Sequence, residues 1–190
     1  MPILTPSKTS TEEKIIQAAW QIARQQRFEQ IQMQDIAEKA AVGRATLYRY
    51  YQTKEQLYAD VTLHWGMRFF QQLNDAKSQP KTPRKRVHWV LQAIIEEAES
   101  ERTLIRAFLS CILENAATAE KEFAEVSTLM PNLLSLALKK PVEEIPAQAL
   151  RVLQHILLSG LIGLQRNEQD AKTVVDDLQQ VADMLLTLDS

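Results

Sequence analysis

Asp35-Ile-Ala-Glu-Lys-Ala-Ala-Val-Gly-Arg-Ala-Thr-Leu-Tyr-Arg-Tyr-Tyr-Gln-Thr-Lys-Glu-Gln-Leu57 is the stretch on which the rest of the chain depends. Ile36, Ala37 and Ala40 recur at helical spacing, and Leu47, Tyr48 and Tyr51 do so again after the corner Ala41-Val42-Gly43. The spacing turns each set inward, and Ala37 is small enough for a second helix to cross it closely. Two short helices joined by such a corner form a helix-turn-helix, whose second helix can enter a DNA major groove. From Val42 to Lys54 the cations Arg44, Arg49 and Lys54 stand without an acid, and Thr46 and Tyr48 add hydroxyl donors. Cations and hydroxyls on a short helix suit phosphate oxygens and base edges. Charge alone leaves open a second reading, a solvated polar face on an ordinary helical hairpin.

The run Val42 to Leu57 resembles the signature of the TetR family of bacterial transcriptional regulators. It carries Thr46-Leu47-Tyr48, a following aromatic, and Thr53-Lys54-Glu55-Gln56-Leu57 at the opening of the next helix. The motif-level resemblance runs from about Ser10 to Leu57, and beyond it only helical layout and length are similar. It implies DNA contacts from Gln34, Arg44, Ala45, Thr46, Tyr48, Arg49, Tyr50 and Lys54. In that reading Arg44 reaches guanine O6 and N7, Ala45 meets a thymine methyl, and Lys54 is a phosphate clamp at a helix start. Tyr48 and Tyr51 have a second reading as rings that fill the core. The chain departs from the family pattern at four positions. Arg27 stands where the family has a glycine, Gln32 where it often has a capping Thr or Ser, Ala41 replaces the glycine of the turn, and Gly43 replaces the capping serine. A left-handed Ala41 costs about 1 kcal/mol or more.

The chain has 190 residues, of which 45% are apolar, with four glycines and no long apolar-polar alternation. The fold class expected is all-α: an N-terminal three-helix DNA-binding domain and a larger helical ligand-binding and dimerisation domain, about nine helices in total. Expected boundaries are a flexible arm at 1–9, the helix-turn-helix domain at 10–52 and the effector and dimer domain at 53–190. The net charge is −2. Residues 1–60 hold 8 Lys/Arg against 7 Asp/Glu, and residues 61–190 hold 14 against 17. DNA contact must therefore come from a local patch. The single Cys111 permits no intrachain disulfide, and neither a secretory leader nor a run of about 18 apolar residues is present. The expected location is cytoplasmic, on the nucleoid.

Ser10-Thr-Glu-Glu13 reads as a capping box for a helix to about Gln26 with Ile15, Ile16, Ala19, Ile22 and Ala23 on one stripe and Trp20 at its edge. Thr53-Lys-Glu-Gln56 opens a helix to about Lys77, roughly 36 Å long. Ser78 to Pro83 is the clearest break. Arg84-Lys-Arg86 reads as a solvated helix start, or as a second phosphate contact. Further helices follow through Val87 to Ile95, ended by Glu96, Glu97, Glu99 and Glu101, over Arg102 to Asn115, from about Ala119 to Leu138 with a break or kink at Pro131, to about Arg166, and from Asp170 onward. The resemblance implies an effector pocket, with Trp65, Phe69, Trp89, Phe108, Cys111 and Met130 as candidates. Each also reads as plain core. The last two helices carry surplus apolar surface. Leu153, Ile156, Leu157, Gly160, Leu164, Val181 and Leu185 are expected in a homodimer interface, with a wholly intramolecular pairing as the other reading.

His64, His88 and His155 are far apart and match no metal or catalytic spacing, and no phosphate-binding glycine loop occurs. No cofactor, metal or catalytic residue is expected. The function implied is a ligand-responsive repressor that binds a palindromic operator as a homodimer and is released by a small molecule. A helical protein-interaction module without DNA binding is the rival, and a helical enzyme has no supporting constellation.

Overall fold

A computed structural model describes residues 10–115 and 124–186. The arm 1–9, Phe123, Leu188 and the side chain of Glu114 lie outside the described residues. Among the described residues the helices of four or more residues are α1 (Ser10–Ala23), α2 (Met33–Lys39), α3 (Arg44–Tyr50), α4 (Lys54–Asn74), α5 (Pro83–Ser100), α6 (Arg102–Asn115), α7 (Leu129–Leu138), α8 (Ala147–Arg166) and α9 (Ala171–Leu186). Short 3-10 turns occupy Phe28–Gln30 and Val142–Glu144, and no strand occurs among these residues. The all-α expectation holds.

The chain divides into two compact units. The first comprises residues 1–68 and 103–126, and the second 69–102 and 127–190. The unit that holds the helix-turn-helix is thus assembled from two stretches of chain. Its core joins Ile15, Ile16, Ala19 and Ile22 of α1 to Ile36 and Ala37 of α2, Leu47 of α3, and Leu57, Tyr58 and Val61 of α4. Leu104, Ala107 and Cys111 of α6 complete it. The α1 stripe is buried as its spacing requires, and Trp20 is half-buried at the rim. Helix α1 ends at Ala23, earlier than expected, and Arg24 and Gln26 continue it only as loose turns onto Trp20 and Ile22 carbonyls.

Two corners answer the departures from the family pattern. Arg27 takes φ −72°, ψ 145° and precedes the 3-10 turn, so no left-handed residue is needed there. Ala41 does adopt φ 53°. Its N–H reaches the Glu38 carbonyl and that of Val42 reaches Ala37, both at 3.0 Å. This is a Schellman closure, which satisfies carbonyls that the helix end would otherwise leave unpaired. Gly43 is extended at φ −68° and caps α3 without a side chain. At the start of α4, Thr53 Oγ1 accepts from Gln56 N at 3.1 Å, while Gln56 Oε1 accepts from Gln52 N. Helix α4 stops at Asn74, short of Lys77.

In the second unit α9 packs on α5 and α8, and α5 packs on α7. Thr82 caps α5, with Pro83 at its first position. The Arg84-Lys-Arg86 run is not solvated throughout, as a plain solvated helix start would be. Arg84 makes a two-pronged ion pair with Asp183 of α9, at 2.6 Å for the shorter prong. Arg86 is buried and donates to the Ala137 carbonyl at 2.6 Å and the Lys81 carbonyl at 2.7 Å. A guanidinium at the carboxyl end of α7 satisfies one carbonyl of its last turn. Lys85 and Arg84 stay exposed, and only Arg86 of the three is buried. His88 Nε2 lies 2.9 Å from the other Asp183 oxygen. Burial pushes the Asp183 carboxyl up, but hydrogen bonds from Arg84 and His88 and their charge outweigh it and hold it below its usual range. Pro131 falls in the first turn of α7, where a missing N–H costs nothing, and the break it marks lies just upstream, at 127–128. Asp170 Oδ1 caps α9 by accepting from Thr173 N at 2.7 Å.

Helices α8 and α9 touch closely. A Cβ at Gly160 would stand 2.4 Å from Val174 Cγ1. By length and composition α8 is apolar enough to cross a membrane, with mean hydropathy 1.3, a test that core helices also pass.

Two stability changes of opposite sign follow. Ala41→Gly removes a left-handed alanine, and a higher urea midpoint at constant slope is expected, equivalent to roughly 0.5–1 kcal/mol of added stability. Gly160→Ala forces α8 off Val174 and is expected to cost about 1–3 kcal/mol. The double variant Gly160→Ala/Val174→Ala should recover part of that loss.

Candidate nucleic-acid interface

Helix α3 has one fully buried residue, Leu47, and that fixes which face turns outward. Successive residues step about 100° around a helix of 3.6 residues per turn. With Leu47 inward and Tyr51 buried just beyond the helix, Arg44, Ala45, Tyr48 and Arg49 are exposed, and Thr46 and Tyr50 are half-buried. The expectation that Tyr48 packs inward is therefore corrected. The residue is 38% exposed, because it sits one step away from Leu47 rather than a full turn. Tyr51, the other aromatic given a core reading, is buried.

The exposed cations do not hang free. The Arg44 guanidinium lies 5.6 Å from the centroid of the Tyr48 ring, and that of Arg49 lies 5.5 Å from Tyr50. Each arginine is laid along the surface by a neighbouring ring, which lowers the conformational entropy it loses on meeting a partner. No acid occurs in α3, so the face presents two cations, two phenols and one threonine hydroxyl together. Gln34 of α2 is exposed, and its amide donates to Glu38 at 2.8 Å, one helical turn on.

Lys54 is placed differently from a free clamp. Its Nζ donates to the carbonyls of Phe28 at 2.8 Å and Ile31 at 3.3 Å, and stands 4.1 Å from the Phe28 ring centroid. Two of the three ammonium donors are engaged inside the unit. The Phe28 ring meets Tyr58 edge-on, with centroids 5.4 Å apart, and the Tyr58 hydroxyl donates to the Ala19 carbonyl at 2.9 Å. Phe28 and Tyr58 were not singled out by sequence. Their signal is visible in hindsight, an aromatic just after α1 and another one turn after Lys54.

The Tyr51 hydroxyl donates to Asp60 in a short bond. Burial, then the charge and hydrogen bond of Asp60 and of Glu12, push the Tyr51 phenol well above its usual range. Burial raises Tyr58 likewise, with Cys111 adding to it.

Of the expected pocket residues, Trp65, Phe108 and Cys111 belong to the first unit, and Phe69, Trp89 and Met130 to the second. Cys111 is wholly buried in the core beneath the helix-turn-helix. Phe69 and Met130 are buried, and Trp65, Trp89 and Phe108 are half-buried. Two depressions on the second unit are lined by other residues, among them His88, Asp183 and Met184 in one and Ile156, Gly160 and Val181 in the other. Of the expected interface residues, Leu153, Gly160 and Leu164 are already buried within the chain, whereas Ile156, Leu157, Val181 and Leu185 keep exposed surface. Among the described residues no three His, Cys, Asp or Glu side chains converge as a metal site would require.

Residues 15–61 match the family described as bacterial regulatory proteins, tetR family. Along the chain, the HTH-type transcriptional repressor KstR of Rhodococcus jostii (strain RHA1) is 27% identical over 178 residues, spanning 92% of this chain and 82% of that protein. The crystal structure of a TetR transcriptional regulator from Rhodococcus sp. RHA1 superposes with a TM-score of 0.82 at 20% identity, covering 93% of this chain and 95% of that one. Thermus thermophilus FadR, a repressor solved with lauroyl-CoA, superposes with a TM-score of 0.72 at 18% identity, covering 92% and 93%.

The buried phenols set an alkaline limit to stability. An unfolded tyrosine ionises near pH ~10, and the folded Tyr51 and Tyr58 hold their protons to higher pH. Above that point the folded state binds more protons than the unfolded one, so stability falls as pH rises. Urea midpoints measured from about pH 9 to about pH 11 should fall, and Tyr51→Phe or Tyr58→Phe should flatten the fall.

Proposed function

We propose, from the premise that the chain is a member of the tetR family of bacterial regulatory proteins, that it is a repressor which binds a palindromic operator as a homodimer and releases it when a small molecule binds. Family and relatives alike are transcriptional regulators and not enzymes. The observation that carries the reading is the outward face of α3, where Arg44, Ala45, Thr46, Tyr48, Arg49 and Tyr50 stand over a fully buried Leu47. Arg44 and Ala45 at the start of the helix suit base edges, and Arg49, Thr46 and the two phenols suit phosphates. Gln34 on α2 adds an amide to the same task.

Dimerisation is supported by apolar surface that the single chain does not cover. Ile156, Leu157, Val181 and Leu185 are only partly buried, and Met184 is 72% exposed. A second copy related by a two-fold axis would cover them and set two recognition helices about 34–36 Å apart, one helical turn of DNA. The effector is a small molecule taken up by the larger helical domain, with Phe69, Trp89 and Met130 of the second unit the residues to substitute first. Solved proteins of the same fold hold stearoyl-CoA, lauroyl-CoA or ethidium. Helix α4, whose residues 54–68 and 69–74 belong to different units, is one covalent route between effector and DNA. An effector that binds the non-DNA conformation better must weaken DNA affinity by linkage. Such a regulator works in the cytoplasm, at the nucleoid.

Footprinting on genomic fragments, followed by fluorescence anisotropy with the protected duplex, tests the reading. Arg44→Ala should cost about 1–3 kcal/mol on the cognate site and relax its base preference. Arg49→Ala should weaken binding to all sequences alike and lower the salt slope by about 0.9. Duplex affinity unchanged in both variants, or a purely monomeric species in sedimentation at micromolar concentration, would defeat it.

A further inference from the structure

The geometry points to Lys54 as a positioning residue for DNA recognition, one that clamps the segment leading into α2 onto α4 rather than contacting a phosphate. The inference rests on the DNA-binding reading for its function and on the fold for its mechanism. The two carbonyls that Lys54 Nζ engages, Phe28 O and Ile31 O, bracket the 3-10 turn Phe28–Gln30. Gln32, the residue after Ile31, is the N-cap of α2, and its side chain makes no capping bond. The entry to α2 therefore has no polar anchor of its own at the cap, and the ammonium supplies one from outside. Hydrogen bonds from a charged donor are about twice as strong as neutral ones. The same charge lies over the Phe28 ring at 4.1 Å, a partly desolvated cation–π contact.

The grip is two-sided. Lys54 and Tyr58 stand four residues apart and so share a face of α4. Lys54 holds the carbonyl and ring face of Phe28, and Tyr58 meets the ring edge-on. Tyr58 is tied in turn to the Ala19 carbonyl of α1. Any displacement of the first turns of α4 thus carries residues 28–31 with it. Helix α2 follows through its buried Met33, Ile36 and Ala37, and α3 through Leu47. Swinging the Lys54 side chain out to a phosphate would give up two hydrogen bonds and a ring contact at once, and only its third N–H could meet a phosphate from where it stands.

Two variants separate clamp from phosphate ligand. Lys54→Met keeps the stem and loses the charge. Phe28→Leu loses the ring and keeps every cation. Duplex affinity as a function of salt is read for both, with Arg49→Ala as the phosphate-contact control, and amide hydrogen exchange is read over residues 31–37 without DNA. For Lys54→Met the expected result is a roughly tenfold or greater loss of affinity with the salt slope of the wild type, beside exchange accelerated by a similar factor. Phe28→Leu should shift both readouts the same way, and it decides the matter if Lys54→Met does not fold. A salt slope lowered by about 0.9 in Lys54→Met, with exchange unchanged, would make Lys54 a phosphate ligand and overturn the inference. A wild-type protein that binds no duplex at low salt would defeat the recognition reading instead. The clamp would then stand or fall on exchange alone, and unchanged exchange in both variants would end it.

Discussion

Helices α2 and α3 have seven residues each. Isolated helices shorter than about 12–15 residues are marginal in water, because forming the first turn fixes several residues for one hydrogen bond. These two exist because their apolar sides are buried in a core built by other helices. Leu47 is the only fully buried residue of α3, so the direction in which Arg44 and Arg49 point is set by one leucine. Everything attributed to the outward face depends on that side chain being held.

What holds it comes from distant parts of the chain. Tyr58 of α4 meets Phe28 and binds Ala19, and Leu104, Ala107 and Cys111 of α6 close the core beneath. The corner between α2 and α3 adds a local constraint. Its Schellman bonds need a left-handed residue, and alanine supplies it under strain. A short helix supported in this way is oriented by its platform, so a change in the platform is felt at its outward face without touching it.

The second unit solves another problem, that of packing α5, α7, α8 and α9, and it leaves part of the apolar side of α8 and α9 exposed. Charge is used to join helices: Arg84 and His88 converge on Asp183, Arg86 meets the end of α7, and Arg102 donates to the Leu164 carbonyl at the end of α8. Gly160 lets α9 come close through Val174. Residues spent on these intramolecular contacts cannot also build a dimer seam. That narrows the candidates there to the partly exposed side of α8 and α9, where Ile156, Leu157, Val181 and Leu185 stand.

By itself the sequence determined the class of fold, the helix order and the helix-turn-helix. Apolar spacing and caps are local properties, and Thr53 and Asp170 cap where a local reading puts them. The resemblance over Val42 to Leu57 named the family for the same reason, since a motif is a local pattern. Only the tertiary structure decided what each long polar side chain does. Lys54 and Arg86 look like surface cations in any window of sequence, yet both turn to carbonyls far along the chain, at Ile31 and Ala137. Tyr48 and Tyr51 look alike in sequence, and one is exposed while the other is buried, because a turn of 100° per residue can bury only one of them beside Leu47. Spacing encodes which face is apolar, while the partner of a flexible charged side chain is encoded in contacts that no single stretch contains.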